Sequence, residues 1–187
     1  MDPVSPPLAS FPPARADTVL HHARLAAQGI RVRAGTIEDM AFIRQLYGDL
    51  RAEELHQTGW PDAVKRAFLD SQFALQHRHF VTYYADADFL MVEHDGVTIG
   101  RFYLLRAAPY FLVVDIALVP GWRGRGIGHA LMDWAKEQAR AVGAAGIDLH
   151  VDERNAGARR LYARIGFVET AREGVYIAMR WQTAAQA

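Results

Sequence analysis

The sequence predicts a single mixed α/β domain, and three observations carry that prediction. Its 187 residues are about the size of one ordinary domain, and 51% of them are hydrophobic. Such a chain buries a sizeable core without metals or disulfides. Segments with apolar residues at helical spacing alternate with short runs of β-branched and aromatic residues, in the order β, α, α, β, β, β, α, β, α, β, with one more short strand near Val168. Neither a repeat nor an internal linker interrupts residues 29–182, the expected domain.

Taken in order, "IRVRAGT" alternates Ile30 and Val32 with Arg31 and Arg33, as a half-buried strand does. Thr36 followed by Asp39 has the spacing of a capping box, and Ile37, Met40, Ile43, Leu46, Tyr47 and Leu50 then recur at helical spacing. Pro61 suits the first turn of a second helix reaching about His77, with Val64, Phe68 and Leu75 on one face. "DFLMVEHDGVTIGRFYLLR" reads as two strands joined at Asp95-Gly96, a strong two-residue hairpin signal. "YFLVVDIALV" is a near-continuous apolar strand, which predicts burial on both faces, broken by the single charge of Asp115. The next helix aligns Ile127, Leu131, Trp134, Gln138 and Val142 along one side and stops at Gly143. "IDLHV" is a strand, "NAGARRLYARIGF" a short helix closing at Gly166, and "GVYIAMRW" a final strand.

Twenty-one Lys plus Arg balance twenty-one Asp plus Glu, which argues against a long nucleic acid or an anionic membrane as partner. Without cysteine there is no disulfide, thiolate metal site or cysteine nucleophile, a composition that fits a reducing compartment. Five of the eight prolines precede residue 14, so residues 1–17 are expected to be a flexible extension with no chemistry of their own. They lack a basic leader and a continuous apolar segment, and a cytoplasmic location is expected. Residues 18–28 are read as a short helix and 183–187 as a tail. The eight histidines show no metal spacing; His77-Arg78-His79 reads as surface, and no metal site is expected.

The informative stretch is "PGWRGRGIGHALMDWAKEQARAVG", with Gly121, Gly124, Gly126 and Gly128 crowded around Arg123 and Arg125 ahead of a helix. Free N–H groups at a helix start, with the positive end of its dipole, favour an anion, and glycines let a phosphate approach the backbone. A tight turn with two solvated arginines is the plainer alternative. The triphosphate loop fails, because His129 and Ala130 follow Gly128 where Lys and Ser/Thr are needed; the dinucleotide fingerprint fails at His129, where its third glycine belongs.

What remains is Arg-x-x-Gly-x-Gly, met by Arg123, Gly126 and Gly128, and here the sequence resembles the GCN5-related N-acetyltransferases. A second motif strengthens the resemblance: Asn155, Ala158, Leu161, Tyr162, Gly166 and Phe167 match the family's Asn-x-x-Ala-x-x-Leu-Tyr-x-x-x-Gly-Phe. The resemblance covers residues from about Ile30 to Trp181. It implies a central, mixed, mostly antiparallel sheet of six or seven strands flanked by about four helices. It also implies acetyl-coenzyme A as co-substrate, its pyrophosphate at Arg123, Gly124, Arg125, Gly126, Ile127, Gly128 and His129, and its pantetheine arm beside Ile116, Ala117 and Leu118.

In the family the position of Tyr162 holds the general acid for the departing thiolate, and Asn155 is placed to contact the coenzyme as well as to cap its helix. Asp115 stands where some polyamine and aminoglycoside acetyltransferases carry an acid for the acceptor amine; a carboxylate fixing the structure is the other reading. Val114 occupies the neighbouring position where some relatives place a glutamate base, which leaves a water relay or a residue of the first two helices as a substitute. Glu53, Glu54, Trp60, Gln72, Phe73 and Tyr84, with Tyr83, are the candidates for an acceptor pocket, against the plainer reading of an amphipathic helix pair. A small-molecule primary amine is the expected acceptor. A protein or peptide N-acetyltransferase and a non-catalytic acyl-coenzyme A binding module are the alternatives. Dimers are common among the proteins it resembles.

Overall fold

The computed structural model describes residues 8–18 and 20–183. Seven strands form one sheet in the order β1-β2-β3-β4-β5-β7-β6. They are β1 (Ile30–Ala34), β2 (Asp88–His94), β3 (Val97–Leu105), β4 (Tyr110–Leu118), β5 (Gly146–Asp152), β6 (Val168–Glu173) and β7 (Tyr176–Gln182). Every pairing is antiparallel except β4 with β5. That parallel pair needs a crossover, supplied by a helix.

The helices are α1 (Ala23–Ala26), α2 (Met40–His56), α3 (Asp62–Tyr83), α4 (Ile127–Ala141) and α5 (Ala156–Arg164). One core joins α1, α4 and α5 to one face of the sheet, with Phe102, Leu131, Trp134 and Ile147 at its centre. A second, smaller core on the other face packs Met40, Ile43 and Tyr47 of α2 and Phe73 of α3 against Phe89, Met91 and Tyr103. Central strands β2 and β3 are therefore buried on both faces.

Local rules account for the boundaries. The Thr36 N–H donates to Asp39 Oδ2 at 2.8 Å, completing the start of a short 3₁₀ turn that leads into α2. Asp95 and Gly96 both adopt positive φ (49° and 77°), as a two-residue hairpin turn demands. Gly143 (φ 70°) and Gly166 (φ 90°) end α4 and α5 in the left-handed conformation.

Four expectations change. Helix α3 runs to Tyr83 rather than His77, and Val64, Phe68 and Leu75 lie on its exposed side (47%, 40% and 53% exposed), while Phe73 and His77 face the core. The apolar spacing was real, but the side that packs on the sheet is the one carrying Phe73, with Leu69, Phe80 and Val81 beside it. His77 is buried, with Nε2 2.7 Å from the Ala9 carbonyl oxygen. Val142 is exposed beyond the last turn of α4. Finally, residues 8–17 are not a free extension: Phe11 packs on His77, Phe89 and Tyr103 with ring centroids 5.1, 5.4 and 6.2 Å apart. Arg15 and Asp17 continue this strap, Asp17 pairing with Arg106 at 3.0 Å. The earliest residues of the expected extension, and 184–187 of the expected tail, lie outside the described residues.

Candidate active site

Strands β4 and β5 pair only from Tyr110↔Gly146 to Val113↔Leu149, although β4 continues to Leu118 and β5 to Asp152. Past that point they part. The register of β3 against β4 jumps from Tyr103↔Asp115 to Leu104↔Val113, so Val114 is the extra residue of a β-bulge. A bulge bends its strand and strengthens the local twist, here where β4 leaves β5. The result is a cleft of about 150 Å³ walled by Val114, Asp115 and Ile116 on β4, Asp152 on β5, and Asn155 and Tyr162 of α5. The burial expected on both faces of β4 accordingly fails: Phe111, Val113 and Ala117 are buried, whereas Asp115 and Ile116 are only partly covered. The backbone of β4 beyond Val113, including Ile116, Ala117 and Leu118, has no β5 partner, which leaves a strand edge free to bind an extended group.

At the far end of β4 the chain turns into α4. Gly124 and Gly126 hold φ of 72° and 82°, and a side chain at either would meet no atom within 4 Å. Their identity is thus set by backbone conformation, and the space in front of them is open. Gly126 caps α4 without any side-chain hydrogen bond, so the first N–H groups of that helix, including those of Ile127, Gly128 and His129, have no intrahelical partner. Gly128 serves a different end: a Cβ there would sit 3.4 Å from Leu161 Cδ2, where α4 packs on α5. Arg123 Nε donates to the Leu118 carbonyl at 2.9 Å, and the Arg125 guanidinium lies 4.6 Å from the Trp122 ring centroid. His129 Nε2 is 3.4 Å from Asp133 Oδ2. An uncapped helix start, open glycine backbone, two arginines and a free strand edge fit a long anionic ligand such as acetyl-coenzyme A.

Tyr162 is 6% exposed on α5, and burial pushes its hydroxyl pKa up to about 12, with the Asp115 charge adding to the rise. It therefore stays protonated across the neutral range. Asn155 caps the same helix by accepting the Ala158 N–H at 3.0 Å while also lining the cleft.

Asp115 faces the cleft and also has a partner. Arg101 Nε donates to Asp115 Oδ2 at 2.7 Å, and Arg101 Nη2 reaches Gln76 Oε1 on α3 at 3.3 Å. The arginine side chain is only 3% exposed, against 22% for the aspartate. Next to it, the buried Tyr103 hydroxyl has no hydrogen-bond partner among the described residues. The sequence reading missed Arg101 and Gln76. The available signal was that Arg101 is the lone charge inside one apolar strand, as Asp115 is inside the next.

A sequence model described as the acetyltransferase (GNAT) family matches residues 49–167. The chain belongs to the GNAT family. It is 43% identical over 67 residues to a mycothiol acetyltransferase of Beutenbergia cavernae, a match covering 36% of the chain and 21% of that protein. The chain thus spans about a fifth of that relative's length. It is 24% identical over 145 residues to the aminoalkylphosphonate N-acetyltransferase of Salmonella typhimurium, covering 74% of the chain and 85% of the relative. The fold matches PaiA N-acetyltransferase of Thermoplasma acidophilum, solved with coenzyme A, at a TM-score of 0.63 and 18% identity, covering 82% and 99% of the two chains.

The residues expected to form an acceptor pocket do not come together at the cleft. None of Glu53, Glu54, Trp60, Gln72, Phe73 or Tyr84 lines the cleft itself. Phe73 is 1% exposed and belongs to the core, stacked near His77 and Tyr47. Trp60 sits on Phe68 at 5.5 Å, on the outer side of α3. Glu53 and Tyr83 are exposed, and Tyr84 packs by Phe80 at the end of α3. Gln72 stands one turn before Gln76 on α3. Glu54 alone reaches the cleft rim, through its 3.2 Å ion pair with Arg154, which also holds Asp152 at 2.7 Å. No described helix is long and apolar enough to cross a membrane.

Proposed function

We propose that the chain is an acetyl-coenzyme A-dependent N-acetyltransferase that acts on the primary amine of a small molecule by direct attack in a ternary complex. One observation carries this reading: Tyr162 and Asp115 line the same cleft, which opens from the free edge of a strand leading to the uncapped start of α4. The aminoalkylphosphonate and mycothiol acetyltransferases among its relatives, and the coenzyme bound to PaiA, support it.

Acetyl-coenzyme A supplies the activated acetyl thioester. The backbone N–H groups from Gly124 to His129 hold the pyrophosphate, with Arg123 and Arg125 adding charge, while the edge from Ile116 to Leu118 aligns the pantetheine arm. Asp115 orients the acceptor ammonium and receives its proton, directly or through water, because only the neutral amine is nucleophilic. Tyr162 donates its hydroxyl proton to the departing sulfur.

Release of free coenzyme thiol, measured across a library of small amines, tests the reading. Turnover with at least one primary amine is expected. Tight coenzyme binding without thiol release from any amine would instead identify a non-catalytic binding module.

A further inference from the structure

Three guanidiniums neighbour residues of the cleft wall or of α2 beside it without lining the cleft themselves, and two of them are engaged. Arg101 is committed to Asp115 at 2.7 Å, and Arg154 to Asp152 and Glu54 at 2.7 and 3.2 Å. The third, Arg51, is half-buried, lies 3.8 Å from the Tyr47 ring centroid, and has no carboxylate partner within 4.0 Å among the described residues.

Its position follows from helix geometry. Tyr47, Arg51 and Glu54 are spaced four and three residues apart on α2 and so share one face. At one end of that face, Tyr47 joins the buried cluster containing Tyr103, the register partner of Asp115. At the other, Glu54 meets Arg154 at the cleft rim. Arg51 lies between them. A guanidinium stacked on an aromatic ring keeps its planar fork of donors available, which suits a carboxylate or a phosphate-like oxyanion. Leaving such a charge half-buried and unpaired is costly unless a ligand or water answers it.

We propose that Arg51 is an anion subsite for the acceptor, and that the acceptor is a zwitterion: its amine meets Asp115 while its carboxylate, phosphonate or sulfonate is bound by Arg51. The proposal rests on the acetyltransferase reading above for the identity of the amine end. It also gives the two charges of the site opposite duties. Asp115 selects the ammonium, and Arg51 sets the distance at which a second, negative group must lie.

The test compares matched acceptors that differ in the anion alone, 2-aminoethylphosphonate with ethanolamine and β-alanine with propylamine, by thiol release. The wild-type chain should favour the anionic member of each pair. Arg51→Met should lower the anionic-to-neutral ratio of kcat/KM about tenfold to a hundredfold, the range for one lost charge-assisted hydrogen-bond pair, mainly through KM. Arg51→Lys should recover part of it, because the charge returns without the fork. Calorimetric titration of the coenzyme A complex with 2-aminoethylphosphonate and with β-alanine supplies a readout that needs no turnover. A wild-type ratio at or below one, or a ratio and titration that Arg51→Met leaves unaltered, overturns the proposal. Arg51-dependent binding of the anionic amines without thiol release from any amine would uphold the subsite and refute the acetyltransferase reading. Thiol release with neutral and anionic amines alike, independent of Arg51, would do the reverse.

Discussion

Arg101 Nε donates to Asp115 Oδ2 across 2.7 Å, from a side chain 3% exposed to one 22% exposed. The cleft carboxylate is therefore tied to a buried cation, and its chemical and structural duties are linked. Asp115→Asn is expected to lower the acceptor's kcat/KM sharply with coenzyme affinity kept, and also to cost on the order of 3 kcal/mol by leaving Arg101 without its counter-charge. The second variant Arg101→Met/Asp115→Asn removes both charges and should regain most of that stability but none of the activity. Chemical denaturation of the three proteins, set beside their initial rates, checks this; activity returning with stability would reduce Asp115 to a structural carboxylate.

Gly126 offers a cleaner separation of backbone and charge. Its φ of 82° is one that Asn and Asp tolerate better than other side chains, and nothing within 4 Å opposes a Cβ. Gly126→Asn and Gly126→Asp should thus both fold, with similar small losses of stability. Only the aspartate would set a negative charge against the pyrophosphate in the proposed site, so its coenzyme affinity should fall on the order of a hundredfold below that of the asparagine variant. Calorimetric titration with acetyl-coenzyme A decides; equal affinities would remove the pyrophosphate from this loop.

Tyr162→Phe keeps the ring that packs 5.9 Å from Phe167 and deletes only the hydroxyl. The expected result is an unchanged fold and coenzyme affinity, with kcat lower by about a hundredfold to ten-thousandfold, the usual range for a general acid. Because burial holds the hydroxyl pKa up near about 12, the wild-type kcat should show no descending limb from this group anywhere in the neutral or mildly alkaline range. A limb near pH 8 that vanishes in Tyr162→Phe, or an undiminished rate in single-turnover measurements, contradicts the assignment.

Much of this arrangement was legible in the sequence because it depends on short-range rules. The Thr36/Asp39 box, the Asp95-Gly96 turn and the stops at Gly143 and Gly166 each need only local backbone chemistry, and each stands where its residues predict. The glycine-rich turn before α4 and the α5 motif were equally local. What escaped depends on contacts distant in sequence. Arg101 and Asp115 are fourteen residues apart and meet only through the register of β3 on β4. The bulge at Val114 is a mismatch between two strands, invisible in either alone. Phe11 belongs to a proline-rich stretch whose composition predicts a flexible extension, yet its aromatic ring packs between α3 and the sheet. Val64, Phe68 and Leu75 show the converse, since periodicity marks an apolar face without saying which face is covered.

That strap leads to the last prediction, which concerns pH. His77 is 2% exposed, and because its Nε2 bonds to the Ala9 carbonyl oxygen, Nε2 carries the proton and Nδ1 is the atom that would be charged. Burial lowers the pKa of this imidazole; the Ala9 hydrogen bond opposes the shift and the Arg101 charge adds to it. In the unfolded chain the same histidine titrates near its ordinary value of about 6.5. As pH falls below that value, the unfolded state takes up a proton that the folded state refuses. Stability is therefore fully present above about pH 6.5 and declines as the pH drops toward the lower folded value, by at most about 1.4 kcal/mol per pH unit for one proton. Carboxylates held down by arginines, such as Asp39 beside Arg33, lose their contribution only at lower pH, so the window from 7 to 5 reports mainly on histidines. Urea denaturation across that window should give a slope that His77→Gln flattens, because glutamine can keep the donor to Ala9 without titrating. Phe11→Ala, which opens the pocket to water, should cost about 2 kcal/mol at neutral pH and also weaken the slope. A slope identical in all three proteins would mean that the strap neither shields His77 nor holds it neutral.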